Sequence, residues 1–475
     1  MERQQLAGAL MIQGTSSWAG KSLLTTALCR SFARRGVRVA PFKAQNMSNN
    51  ARVVRGGEIG AAQYLQALAA GVEPDVRMNP ILVKPGAEHR AQLVVDGRVD
   101  HVLSATPWQQ RQRRLWPVIE RALDSLLAEF ELVVIEGAGS PAEINLREFD
   151  LVNMRVAAAA DAPVLLVADI HRGGAFAHLY GTWALLRDDE RARIRGFVLN
   201  KFRGDPQLLL PGPALLEELT GVPVIGVVPW LEHGLPDEDG AGRPAPRPGR
   251  PKVAVVRYPT ASNLDEFRLL EQVAQVVWAR APEDVEGAAL VVLPGSKHVA
   301  GDLEWLRQTG VGAAVAARLA DDGRVLAICG GLQLVGEHLA DPYGVDGDGN
   351  GLALLPLRTT FARDKHTRRT ETRFAELEPP WQALSGLAVS GYEIRHGETA
   401  VTGRVDDALP NGLGFVRGSM LGVYLHGLLE DPAVVAALLG DAPPRTLDDS
   451  FDELADAVEQ HLDLAAVGEL CGVAV

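Results

Sequence analysis

The amino-acid sequence predicts an α/β protein made of two doubly wound domains in series. Three observations carry this. Short Val/Leu/Ile runs alternate with helical patterns along the chain, a proline-rich stretch divides the alternation in two, and each half sets a glycine-tight turn directly after one of its strands.

The first series runs from Gly8 to Pro229, and its expected strands are Ala9 to Gln13, Val37 to Pro41, Leu132 to Ile135, Val164 to Ala168, Gly196 to Leu199 and Val224 to Val228. Such apolar runs suit a parallel sheet covered by helices on both faces. Between Leu235 and Pro251 the stretch LPDEDGAGRPAPRPGRP holds five prolines and little to bury, so residues 236–251 read as a linker. The second series supplies Lys252 to Arg257, Ala289 to Leu293, Val325 to Ile328 and Gly422 to Leu425, with further strands expected between Gly351 and Val416. Residues 1–235 and 252–440 are the expected domains; 441–475 form a tail in which Ser450 to Leu464 shows helical spacing. There is no internal repeat.

Composition narrows the class of partner. A chain of 475 residues exceeds one ordinary core. The formal charge of −13 gives no basic footprint for nucleic acid and argues against binding to an anionic membrane surface, which leaves small molecules. Cys29, Cys329 and Cys471 stand at unrelated spacings and make neither a disulfide framework nor a metal site, as in a reducing cytoplasm. The apolar run Val156 to Ile170 is interrupted by Asp161 and Asp169, and no signal peptide precedes the first strand, so a cytoplasmic location is expected. Assembly into a homo-oligomer is compatible with all of this.

Gly14 to Ser22, GTSSWAGKS, lies between the first strand and the helical pattern Leu23 to Arg34. That is the setting of a phosphate-binding loop. Backbone N–H groups along Gly14, Thr15 and Gly20 would surround phosphate oxygens, Lys21 would neutralise them, and the Ser22 hydroxyl suits Mg²⁺. Five residues separate Gly14 from Gly20, one more than the common spacing. Phe42 to Asn50, FKAQNMSNN, and Glu136 to Leu146, EGAGSPAEINL, each follow an expected strand, so Lys43, Gln45, Asn46 and Glu136 would converge on the loop at the carboxyl ends of the sheet. Glu136 suits Mg²⁺, a cation preferring oxygen ligands; a capping or solvated carboxylate is the alternative.

In the second half, Ala327 to Gln333 reads AICGGLQ and holds Cys329 on a tight turn between strand and helix. A thiol there stands above the sheet, with the Gly330 N–H beside it to stabilise an oxyanion. The alternative is a small buried structural thiol. His426 follows 97 positions later in VYLHG, at the end of another apolar run, where it can meet the thiol as a base.

Cys329 and His426 together resemble the class I glutamine amidotransferase domain, whose cysteine attacks the carboxamide of glutamine and releases ammonia. In that resemblance Leu293 to Lys297, LPGSK, is the loop whose Gly295 N–H completes the oxyanion hole with Gly330. Gly391 to His396, GYEIRH, is similar to a motif of the branch acting in cobalamin synthesis. Most class I domains carry His-Pro-Glu, whereas Gly427 and Leu428 follow His426, so no carboxylate is identified to orient the imidazole. The amidases of the cobalamin branch share that departure.

The first half extends the resemblance. Its loop spacing matches that of dethiobiotin synthetase-like ATPases, and FKAQNMSNN and EGAGSPAEINL resemble stretches of cobyric acid synthases. VADIHRGGAF, Val167 to Phe176, is similar to the family's DxDRGG segment with His171 where an aspartate is usual, which makes Asp169 the safer equivalent. Asn200 and Lys201 stand where related ATPases recognise the adenine, with a capping asparagine as the alternative. His89, His101, His171, His178 and His366 show no ligand spacing. The cluster Arg111, Arg113 and Arg114 reads as a solvated helix face, and the run Arg363 to Arg369 could meet a polyanionic substrate.

The resemblance spans nearly the whole chain. It implies an ATP-, Mg²⁺- and glutamine-dependent amide ligase acting on a corrinoid, the b, d, e and g carboxylates of adenosylcobyrinic acid a,c-diamide, with no permanently bound cofactor. The alternatives are the sister cobyrinic acid a,c-diamide synthase, which lacks the KAQNMSNN and EINL stretches, a regulatory P-loop ATPase with an inactive amidotransferase-like domain, and a corrinoid carrier without turnover. ATP hydrolysis that depends on glutamine plus corrinoid separates these classes.

Overall fold

The computed structural model describes residues 8–85, 91–235 and 249–473. Residues 236–248 of the expected linker, and His89, lie outside them.

Six strands form a wholly parallel first sheet: β1 (Gly8–Gly14), β2 (Val39–Phe42), β3 (Leu132–Glu136), β4 (Val164–Asp169), β5 (Ile194–Phe202) and β6 (Val224–Pro229). Their order across the sheet is β6-β5-β4-β1-β3-β2, which puts β1 between β3 and β4 at the point where the winding reverses. Alternation along β1 divides the core. Met11 faces a cluster with Val133 and Leu166, while Leu10 and Ile12 face helix α1 (Lys21–Arg34) through Leu24, Leu28 and Phe32. Helix α2 (Ala61–Ala69) packs beside α1.

The second sheet has seven strands. These are β7 (Lys252–Val256), β8 (Gln275–Ala279), β9 (Leu290–Leu293), β10 (Val325–Ile328), β13 (Asp406–Leu409), β14 (Gly414–Arg417) and β15 (Met420–Val423), with the hairpin strands β11 (Leu357–Arg373) and β12 (Ala388–Val401) lying outside the sheet. The order β8-β7-β9-β10-β15-β14-β13 is parallel as far as β15, and β14 and β13 add an antiparallel edge. The short helix α3 (Gly330–Leu334) follows β10 directly. Both expected doubly wound units are present. Sequence reasoning did not resolve the long β11–β12 hairpin, whose alternating buried and exposed residues reach across to the first half.

The tail differs from the single helix expected over Ser450 to Leu464. Thr446 and Asp449 cap each other's backbone and start helix α4 (Leu447–Glu459); Asp463 then caps a second helix, α5 (Leu464–Cys471). The tail closes the first domain, not the second. Phe451, Leu454 and Val458 share a core with Leu28 and Phe32 of α1, and Arg30, Arg34 and Arg35 pair with Asp452, Asp456 and Glu459 at 2.8, 2.6 and 2.7 Å. Half-exposed pairs of this kind contribute at most about 1 kcal/mol each, whereas each buried apolar side chain contributes about 1.5–3 kcal/mol, so the apolar face holds the tail in place. No helix among the described residues is long and apolar enough to cross a membrane.

Candidate active site

The first polar cluster lies at the carboxyl ends of β1, β3, β4 and β5. Gly20 takes a left-handed φ of +98° at the start of α1, and a Cβ there would lie 2.0 Å from Asn200 Nδ2, so only glycine closes this loop. Asn200 donates to the Ala19 carbonyl at 2.8 Å and is buried against the loop itself. Lys21, also buried, curls over the loop to donate to Ser16 O at 3.0 Å and Gly139 O at 3.2 Å, joining GTSSWAGKS to EGAGSPAEINL. The Thr15 N–H donates to Val167 O at 2.9 Å, which pins the loop to β4 beside Gly14.

Glu136 is fully buried at the end of β3. Its carboxylate receives Ser22 Oγ at 2.8 Å, Lys43 Nζ at 2.7 Å and Gln66 Nε2 at 2.6 Å, the pairing that a charge at such depth requires. The donor set also fits Mg²⁺: a carboxylate and a hydroxyl oxygen meet beside the phosphate loop. Asp169 accepts from the His171 N–H at 2.9 Å and from Lys201 Nζ at 3.1 Å. Lys43 and Glu136 therefore meet at the loop as expected. Asn46 does not join them, because its amide donates to Gln63 at 2.9 Å. Gln66 was not anticipated; no spacing links it to Glu136.

The second cluster lies on the adjacent parallel strands β9, β10 and β15. Cys329 has φ +52°, ψ −105°, a strained turn for a residue with a side chain, held between β10 and α3. Gly330 and Gly331 permit it: a Cβ at Gly330 would lie 2.4 Å from the Ser296 N, and one at Gly331 would lie 2.1 Å from Leu293 O. The LPGSK loop thus sits directly against the thiol turn. Buried Asp302 fixes the loop by accepting from Ser296 Oγ at 2.6 Å and Thr260 Oγ1 at 2.6 Å. Cys329 Sγ is 3.4 Å from the Ile394 carbonyl, and Gln333 Nε2 donates to His396 O at 2.9 Å, so GYEIRH on β12 walls the same site.

His426 lies beyond the end of β15, 2% exposed, with Gly295 so close that a Cβ there would be 3.3 Å from Nε2. Its Nδ1 faces Glu266 Oε1 at 3.1 Å, and Glu266 Oε2 accepts the Gly427 N–H at 2.9 Å. A carboxylate at Nδ1 assigns the proton to that nitrogen. Burial alone lowers the pKa of an imidazolium, but Cys329 and Glu266 outweigh it as charges and hydrogen-bond partners, and His426 is raised to about 10. Sequence reasoning identified no such carboxylate. The readable signal was the adjacent pair Asp265 and Glu266 in the otherwise apolar turn Leu264–Phe267, every residue of which is buried. The other two cysteines are chemically quiet: burial holds the Cys29 thiol far above its ordinary range and pushes Cys471 up to about 12. Among the described residues no group of His, Cys, Asp and Glu makes a metal-ion cluster.

The halves meet through charged contacts as well. Glu58 accepts from Lys84 and, across the interface, from Lys365 of the hairpin at 2.8 Å, and these cations hold its carboxyl well below the usual range despite burial. The His396 ring beside them is lowered to about 4 by burial, Lys365 and Lys297. The run Arg363 to Arg369 lines, with Arg55 and Arg98, an interdomain cavity of about 780 Å³.

Each half of the chain matches a known domain family. Residues 10–237 match the CobQ/CobB/MinD/ParA nucleotide binding domain, and residues 252–434 match the CobB/CobQ-like glutamine amidotransferase domain. Similar proteins include the cobyric acid synthases of a Polaromonas species, 54% identical over 96% of this chain and 97% of that one, and of Variovorax paradoxus, 55% identical over 96% and 97%. That of Paracidovorax citrulli is 56% identical over 97% of this chain and 98% of the relative. With its nucleotide-binding and amidotransferase halves in this order, the chain belongs to the cobyric acid synthase family.

Proposed function

We propose that the chain converts the b, d, e and g carboxylates of adenosylcobyrinic acid a,c-diamide to amides, using ATP and glutamine, and that Cys329, His426 and the phosphate loop carry the chemistry. The observation that supports this most is the pairing of Cys329, on a strained strand-to-helix turn, with a buried His426–Glu266 pair in a chain that also holds a complete phosphate loop.

A carboxylate does not condense with ammonia at neutral pH, because the group leaving would be oxide or hydroxide. In the first half a carboxylate oxygen of the corrinoid attacks the γ-phosphorus of ATP and ADP departs, giving an acyl phosphate. Lys21 and the N–H groups along Gly14, Thr15 and Gly20 are arranged to take up the phosphate charge. Ser22 and Glu136 would hold Mg²⁺, which would neutralise phosphate oxygens in transit. Lys43, paired with Glu136 at 2.7 Å, adds a cation to the same place, and Asn200 braces the loop.

In the second half the Cys329 thiolate adds to the carboxamide carbon of glutamine. The oxyanion is taken by the N–H groups of Gly295 and Gly330, and His426, protonated and oriented by Glu266, gives a proton to the departing ammonia. Water then opens the thioester, with His426 as base, and glutamate leaves. Ammonia in water at neutral pH is mostly protonated and not nucleophilic, so it must cross between the halves without being dissolved. The apolar contact of Ala51, Leu82 and Val94 with Ile394, whose carbonyl lies 3.4 Å from Cys329 Sγ, would shield such a path from water. ATP hydrolysis by the purified chain tests the proposal: it should require the corrinoid together with glutamine or ammonia, and hydrolysis at full rate without corrinoid would contradict it.

A further inference from the structure

One continuous segment touches both clusters. At its start Lys43 Nζ lies 2.7 Å from Glu136 beside the phosphate loop. At its end it crosses to the amidotransferase half, where Asn50 Oδ1 accepts from the Leu264 N–H at 3.1 Å and the Ala51 N–H donates to Asn263 Oδ1 at 3.2 Å. These bonds hold the start of the turn that carries Glu266. Arg52, 3% exposed, goes further in: its guanidinium pairs with Asp265 and Glu430, donates to Tyr392 Oη at 2.7 Å and lies 5.2 Å from the centre of that ring. Tyr392 in turn stacks on His426, ring centres 5.5 Å apart and planes within 18°, and exchanges backbone hydrogen bonds with it at 2.9 and 3.1 Å.

Arg52 thus grips both supports of the imidazole, the turn holding Glu266 and the ring stacked on His426, from the opposite half of the chain. We propose that Arg52 is a positioning residue for the Glu266–His426 pair. The inference rests on the amidotransferase reading above. The guanidinium's several fixed donors serve Asp265, Glu430 and Tyr392 at once, which an ammonium cannot do in the same geometry.

The test measures glutamate release by the full chain alongside amidation of the corrinoid supported by ammonia. Arg52→Met should lower kcat for glutamine on the order of tenfold to a hundredfold, with KM for glutamine within about twofold. Ammonia-supported amidation should persist, and Arg52→Lys should restore part of the lost kcat. Because Arg52→Met strands the buried Asp265 carboxylate, Tyr392→Phe is the second variant; it keeps the ring on His426, removes the hydroxyl Arg52 grips, and should lose part of kcat. Wild-type kcat in both variants would overturn the inference, as would equal losses with glutamine and ammonia, the mark of a merely structural role. Absence of Cys329-dependent glutaminase in the wild type would overturn the amidotransferase reading itself, and the inference with it.

Discussion

Glu266 Oε1 lies 3.1 Å from His426 Nδ1 although 160 positions separate the two residues in the chain. The carboxylate that orients the imidazole comes from the turn after β7, and its second oxygen holds the Gly427 N–H. A proline at position 427 would have no N–H to give Glu266. Glu266→Gln keeps the shape but not the charge. It should reduce glutamine-supported amidation by roughly a hundredfold or more, since an unoriented base loses most of its advantage, while ammonia-supported amidation continues. Parallel assays with the two nitrogen sources decide this.

The same pair has a pH signature. His426 is raised from the ordinary histidine value to about 10 by Cys329 and Glu266 against the opposing effect of burial. A histidine raised on folding contributes stability that is fully present below its unfolded value of about 6.5 and is lost as pH rises through the folded value. Thermal unfolding of the wild type should therefore weaken between about pH 7 and 10, and Glu266→Gln should show a smaller loss across that window. Equal slopes in the two proteins would contradict the assignment.

Cys329→Ala should abolish glutamine-supported amidation and leave ammonia-supported amidation, because the thiol serves only to liberate ammonia. Glutamate release and amide formation, followed together, would expose a wrong assignment if the variant still consumed glutamine.

Lys21→Ala should suppress amidation with either nitrogen source, because acyl phosphate formation precedes attack by ammonia from any origin. Loss of the charge that follows the transferring phosphoryl group raises such barriers by several kcal/mol, on the order of 3–4 kcal/mol for one well-placed donor. Retained ammonia-dependent turnover would mean that GTSSWAGKS does not bind the activating nucleotide.

Both sheets were legible in the sequence, because buried parallel strands are continuous apolar runs and the loops Gly14–Ser22 and Ala327–Gln333 mark the strand ends. The partnership of Lys43 with Glu136 was legible from the rule that ligands gather at carboxyl ends. Three things were not. Glu266 reaches His426 across the fold, Arg52 reaches Tyr392 across the domain interface, and tail helix α4 packs on α1; all three depend on tertiary contacts between distant segments. The β11–β12 hairpin was hidden for a different reason. The second half of β11, Asp364 to Arg373, is polar and charged on both faces, so its period of two is masked.

Substrate choice is the centre of the account, and mass spectrometry of the corrinoid product tests it most directly. Given ATP, Mg²⁺, glutamine and adenosylcobyrinic acid a,c-diamide, the purified chain should exchange carboxylate for amide stepwise at b, d, e and g, with one ATP and one glutamine consumed at each step, and should stop with the f carboxylate free. Cobyrinic acid lacking the a and c amides should react poorly, since a pocket hydrogen-bonded to an amide is mispaired against a carboxylate. If the unamidated acid is the better substrate and the reaction stops at the a,c-diamide, the account is contradicted, and the chain has the specificity of the sister enzyme.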